Sequence, residues 1–217
     1  MNVSEAVAAR SSIRNFLDTP VPDSTLQGLL EKAARAPSGG NLQPWHVYVV
    51  NGASMARFKT HLASQTGREK PAYDIYPADL QEPYRSRRFK VGEDMYALLG
   101  IPRDDKPARF AHLARNFDFF DAPAGFFCYV DRQMGPPQWS DLGMFLQSFM
   151  LLAQEAGLST CAQEAWATRP EAVQSFVGAP DNQMLFCGMA IGHADPDAAV
   201  NSLISDRDPL GDWATFV

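Results

Sequence analysis

The stretch from about Ser140 to Ala156 reads as a helix that is apolar on nearly every side. Leu142, Phe145, Leu146, Phe149, Leu152 and Ala153 share one face, while Met144, Met150 and Leu151 populate the other. A helix of this kind has to be buried nearly all round. In a chain of 217 residues it is therefore either a central helix or part of a subunit interface. Gly157 supplies its C-cap. The length suits one domain with a well-buried core or two small ones.

Around this helix the pattern alternates between helices and a few short strands. Ser4 to Arg10 reads as a short helix capped by Ser4. Pro22-Asp23-Ser24 opens a second, with Leu26, Leu29, Leu30 and Ala33 on one face, ending before Pro37. Trp45–Val50 reads as a buried strand, and Ala53–Ser64 as a helix carrying Met55, Phe58 and Leu62 inward. Gly125–Val130 is a strand, Pro170–Val177 a helix, and Met184–Ile191 a strand. The tail from Pro196 to Val217 has little periodicity and ends in Trp213 and Phe216, which suits a segment wrapped onto another surface. Strands separated by dominant helices give an α+β or α/β fold.

The segment Gly67–Phe120 is punctuated by proline and rich in charge, with helical stretches near Asp79–Leu99 and Lys106–Phe117. It is also dense in aromatics: Tyr73, Tyr76, Tyr84, Phe89, Tyr96, Phe110, Phe117, Phe119 and Phe120. Helical packing and a lid over a substrate pocket both account for them. Its basic run Arg85-Ser86-Arg87-Arg88-Phe89-Lys90 reads first as a solvated helix face and second as an anion site.

Composition narrows the function. A net charge of −6 leaves no large basic face, which argues against a nucleic-acid partner. Cys128, Cys161 and Cys187 lie far apart, with no metal-ligand spacing, and suit an intracellular, cytoplasmic compartment. The N-terminus lacks the layout of a signal peptide, and no apolar stretch is long enough to span a bilayer. No Gly-x-Gly-x-x-Gly, Walker loop, His-Glu-x-x-His or Gly-x-Ser-x-Gly motif is present. His46, His61, His112 and His193 are isolated and read as structural or exposed.

What remains is a set of ligand-binding groups. Arg10 and Arg14 stand four apart, with Ser11 and Ser12 between them. Guanidinium forks match phosphate oxygens, and the hydroxyls add short donors and acceptors. Pro37-Ser38-Gly39-Gly40-Asn41 permits positive φ and close backbone approach. As a bare helix-to-strand turn it would be unremarked. The sequel Leu42-Gln43-Pro44-Trp45, with its second amide and large aromatic, exceeds what a connection needs.

Arg10-Ser11-Ser12-Ile13-Arg14-Asn15-Phe16 followed by Ala36-Pro37-Ser38-Gly39-Gly40-Asn41-Leu42-Gln43-Pro44-Trp45 resembles the FMN-dependent nitroreductase family, closest to its nitrobenzoate-reductase branch. Gly157–Glu164, Gly188–His193 and Asn201–Leu210 agree, in family order. The resemblance implies a single 1–217 FMN-binding domain of α+β, nitroreductase-like fold, with a mixed central sheet flanked by helices in an intertwined homodimer. A helical excursion at about 68–121 would cover the active site. Arg10, Ser11, Ser12, Arg14 and Arg207 would surround the FMN phosphate and ribityl chain. Pro37, Ser38, Gly39 and Asn41 would reach the cofactor from the second subunit. Backbone amides of Gln163, Glu164 and Ala165 would meet the flavin edge. The implied activity is ping-pong transfer of hydride from NADPH or NADH to a nitroaromatic or quinone-like small molecule. The family's alternatives are enone or enal reduction, dehalogenation, flavin fragmentation, and a low-turnover flavin-holding dimer. No metal is implied and no catalytic acid or base is assigned; Glu164 is a candidate by position alone. Two departures stand out: Ala165 where the family often has glycine, and Ser205 where some members have lysine. The residues gripping the flavin pyrimidine edge find no match between Gly67 and Phe120.

Overall fold

In a computed structural model describing residues 1–217, four antiparallel strands form one sheet in the order β1-β2-β4-β3. They are β1 His46–Asn51, β2 Ala124–Asp131, β3 Ser159–Gln163 and β4 Gln183–Gly192. The helices are α1 Val3–Ala9, α2 Asp23–Ala33, α3 Ala53–Ser64, α4 Tyr84–Leu98, α5 Lys106–Ala114, α6 Pro136–Glu155 and α7 Pro170–Val177. The parallel component expected of a mixed sheet is one isolated bridge, Ser12 to Thr160, on the outer side of β3.

Strand β2 is central and buried on both faces, as its unbroken apolar run requires. Period-two alternation sends its side chains into two separate cores. Phe126, Cys128 and Val130 meet α2 and α6, where Leu26, Leu142 and Phe149 lie. Phe127 and Tyr129 face the other way, onto Phe58, Phe119 and Trp166. Trp45 stacks on Phe145 at 5.0 Å between ring centres, and Phe149 meets Phe126 edge-on at the same distance.

Helix α6 starts at Pro136 rather than at Ser140, because prolines at the first helical positions remove no intrahelical bond. Gly157 follows it with φ of 74°. The N-cap of α1 is Asn2, not Ser4: the Asn2 side chain accepts from the Glu5 N–H, and the Glu5 carboxylate accepts from the Asn2 N–H at 2.8 Å. α3 and α7 occupy the expected spans. The segment Ser159–Gln163, which carries little strand signal, is drawn into the sheet as an edge strand on β4.

The excursion resolves into α4, α5 and a 3-10 stretch at Arg115–Asp121. Phe119, Phe120 and Tyr96 are buried, whereas Tyr84, Phe89 and Phe110 are exposed.

Candidate functional site

Arg10 ends α1, and the chain then runs extended past the outer edge of β3, where the Ile13 N–H donates to the Thr160 carbonyl at 3.0 Å. Arg14 is held from both sides. Its N–H donates to Asn201 Oδ1 at 2.8 Å, and its carbonyl accepts from Arg115 at 3.2 Å. Asn201 Nδ2 donates to the carbonyls of Asn15 and Asp195, so one amide ties the Arg10–Arg14 segment to the tail.

This junction encloses a cavity of about 950 Å³ whose walls include Arg10, Ser11, Ser12, Arg14, Asn201, Ser205 and Arg207. No Asp or Glu lines it. None of the three arginines forms an ion pair elsewhere in the chain. Arg207 Nη1 donates to Ser205 Oγ at 2.8 Å and to the Asp206 carbonyl at 2.7 Å. The Ser205 hydroxyl thus orients an arginine. Three guanidiniums without an ion pair line one cavity in a chain of net charge −6, a set of groups matched to an anion.

A second cavity of about 470 Å³ adjoins it, sharing Arg14, Val91 and Leu203. Cys161, Ala162, Gln163, Glu164 and Ala165 form one wall, and residues of α4 and α5 the other. Because the Thr160 carbonyl points away from β4, antiparallel alternation turns the Ala162 N–H and C=O to the same free edge. A planar, hydrogen-bonding ring would find backbone partners there. The Gln163 side chain itself is buried and committed: Nε2 donates to the Asn116 carbonyl at 2.7 Å, and Oε1 accepts from Trp166 Nε1 at 3.3 Å. Glu164 is open to the cavity, yet apolar surroundings still hold its carboxyl above the usual range.

Pro37, Ser38, Gly39 and Asn41 line neither cavity. Their loop is a built structure all the same. Gly40 and Asn41 both have φ of 58°, a region that glycine enters freely and asparagine tolerates. The Gly39 N–H donates to the buried carboxylate of Asp141 on α6 at 3.2 Å, and Ser38 Oγ accepts from the Gln43 N–H at 3.0 Å.

His112, expected to be structural or exposed, is buried and walls the second cavity, with Nε2 unpartnered. Burial and the charges of Arg115 and Arg14 push its pKa down to about 4, so the ring is neutral near pH 7. Asn201, Arg115, Val91 and His112 are contributors that sequence reasoning did not single out. Asn201 does lie within a quoted block, but nothing local marks the others. The three cysteines are free and buried, and burial pushes the Cys128 thiol up to about 12, so it is no nucleophile. No group of three or more His, Cys, Asp or Glu side chains is placed to hold a metal ion.

An antiparallel sheet, a cavity on the edge of its β3 strand and an adjoining arginine-lined cavity define an α+β protein whose groups suit a phosphorylated, planar ligand. A sequence model of the nitroreductase family matches residues 7–193. The chain is 37% identical to the 4-nitrobenzoate reductase of Pseudomonas putida over 97% of its own length and 93% of that protein's. It is 34% identical to the nitrobenzene nitroreductase of Ectopseudomonas oleovorans, covering 99% and 96%. Among solved structures, the FMN and NADPH-dependent nitroreductase NfnB from Sphigopyxis sp. strain HMH superposes with a TM-score of 0.95 at 46% identity, covering 100% and 99%. The FMN-dependent NfnB from Mycobacterium smegmatis in complex with NADPH gives 0.91 at 28% identity, covering both chains fully. The chain belongs to the nitroreductase family.

Proposed function

We propose that this protein is an FMN-dependent oxidoreductase that takes hydride from NAD(P)H and reduces nitroaromatic or quinone-like substrates in a ping-pong cycle. The observation that carries this reading is the acid-free cavity with Arg10, Arg14 and Arg207, continuous with the open edge of β3. The residues fit the cofactor. Three guanidiniums and the hydroxyls of Ser11 and Ser12 suit a phosphate and a polyol chain, and the β3 edge with Glu164 and Ala165 suits the rim of the ring. When bound, FMN supplies the hydride chemistry. The chain's own residues bind the phosphate, present backbone donors at β3, and wall the site with α4 and α5. An alanine at 165 leaves its backbone N–H available, so that departure does not weaken the assignment.

A homodimer completes the site in this reading. A compact monomer of this mass exposes about 9,900 Å², whereas this chain alone exposes 12415 Å². Val3 and Val7 of α1 and Trp213 and Phe216 of the tail are among its exposed apolar side chains. The Pro37–Asn41 loop, which lines neither of the chain's own two cavities, is then free to serve the partner's flavin. We place the enzyme in the cytoplasm, where its three free thiols stay reduced and reduced nicotinamide is supplied. No helix is long and apolar enough to cross a membrane.

The test is direct. Purified protein should be yellow, release FMN on denaturation, and oxidise NADPH with loss of the nitro group of an added nitroarene. Replacing Arg10 or Arg207 with Ala should weaken FMN binding by about 10- to 150-fold, as expected for loss of a charge-assisted contact. A colourless protein without micromolar FMN affinity refutes the assignment. A stable monomer that retains FMN refutes the shared site.

A further inference from the structure

The basic run on α4 is neutralised everywhere but at one position. Arg85 pairs with Glu82, Arg87 with Asp208, and Lys90 with both Asp94 and Asp206. Arg88 has no carboxylate partner and makes no hydrogen bond; its guanidinium lies 4.2 Å from the centre of the Tyr76 ring. Both side chains line the cavity that holds Glu164 and Ala165 on its opposite wall. A guanidinium held over an aromatic ring in this way gains a cation–π contact that uses none of its five N–H donors. Those donors remain available to a carboxylate. Of the two arginines on this cavity, Arg14 also belongs to the phosphate cavity, so Arg88 is the cation left for the substrate.

Resting on the nitroreductase reading above, we propose that Arg88, braced by Tyr76, binds the carboxylate of an anionic nitroarene and so selects nitrobenzoate-type over neutral substrates. Arg88 acts on binding and orientation. It places the nitro end of a para-substituted ring toward the β3 edge, where the flavin would lie, and takes no part in electron transfer.

The test compares 4-nitrobenzoate with its neutral isostere 4-nitrobenzamide, using FMN-loaded wild type and Arg88→Gln. In a ping-pong cycle kcat/KM for the nitroarene reports the oxidative half-reaction alone, and kcat/KM for NADPH the reductive one. Because Arg88 is exposed, the expected loss is modest: kcat/KM for 4-nitrobenzoate falls about 2- to 5-fold in the variant, while 4-nitrobenzamide changes by less than about 1.5-fold. Arg88→Lys keeps the charge without the fork and should fall between wild type and Arg88→Gln. Raising salt from about 0.05 to 0.5 M should erode the wild-type preference and leave Arg88→Gln unaffected. Equal losses for both nitroarenes overturn the proposal. A loss confined to the NADPH arm also overturns it, and reassigns Arg88 to a dinucleotide phosphate. If wild type reduces neither nitroarene, the underlying nitroreductase reading fails instead. FMN content and melting temperature of Arg88→Gln, a surface change, should match wild type.

Discussion

A single methyl group added at Gly188 should unsettle the flavin-edge segment from behind. Gly188 lies in β4 opposite Gln163, and a Cβ there would sit 2.2 Å from Trp166 Cδ1 and 2.6 Å from Nε1. To restore ordinary contact near 3.5 Å the indole must retreat by about 1.3 Å. It has nowhere soft to go. Phe119, Phe127, Phe117 and Phe58 surround it at 4.9, 5.1, 5.3 and 5.4 Å between ring centres. Overpacking of this kind costs about 1–3 kcal/mol, which for a chain of this size lowers the melting temperature by roughly 2–12 °C. The displacement also travels toward the site. Trp166 donates to Gln163, Gln163 donates to Asn116, and Glu164 and Ala165 lie between the first two. Gly188→Ala should therefore weaken FMN binding about tenfold, the effect of losing one well-placed contact. The assays are calorimetric melting of the flavin-stripped protein and fluorescence titration with FMN. Gly28→Ala is the internal control, because that helical glycine has nothing within 4 Å of its Cβ position and should gain about 0.5–1 kcal/mol. A Gly188→Ala protein that melts within about 1 °C of wild type and binds FMN unchanged would refute the reasoning.

Two further outcomes follow from the same site. The folded pKa of His112, about 4, lies below its unfolded value. The associated stability is complete above pH 6.5 or so and drains away as pH falls toward 4, by about 1–2 kcal/mol at pH 5. His112→Phe should remove that slope in urea titrations between pH 7.5 and 5, and an unchanged slope would place the titrating group elsewhere. Asn201→Ala strands the Arg14 N–H and two carbonyls, which should cost about 2–3 kcal/mol and loosen FMN; chemical denaturation and flavin titration measure both, and a variant with wild-type FMN affinity would show that the amide is not what ties the arginine segment to the tail.

Local chemistry made a good part of this structure legible. The apolar faces of α2, α3 and α7 carry period 3.6, and those helices occur where that period sits. The glycines of Pro37–Asn41 signal backbone at positive φ, and Gly40 and Asn41 adopt it, while Arg10 and Arg14 fall on one cavity with Arg207. What stayed hidden depends on partners far away in sequence. Ser159–Gln163 is a strand only because β4 offers an edge, and its small, mixed side chains carry no strand signal. Asn2 outcompetes Ser4 as a cap through the reciprocal bond with Glu5. Arg87 and Lys90 find Asp208 and Asp206 more than a hundred residues downstream. No window on α4 could reveal that pairing.

Those ion pairs fasten the tail segment bearing Arg207 to the helix bearing Arg88. In the proposed reading, ligand preference and cofactor retention are therefore inherited together. A library that randomises residues 87–90 to reach new substrates would be filtered first by which clones still keep their flavin. Restoring charge complementarity to Asp206 and Asp208 would be the condition for exploring that helix freely.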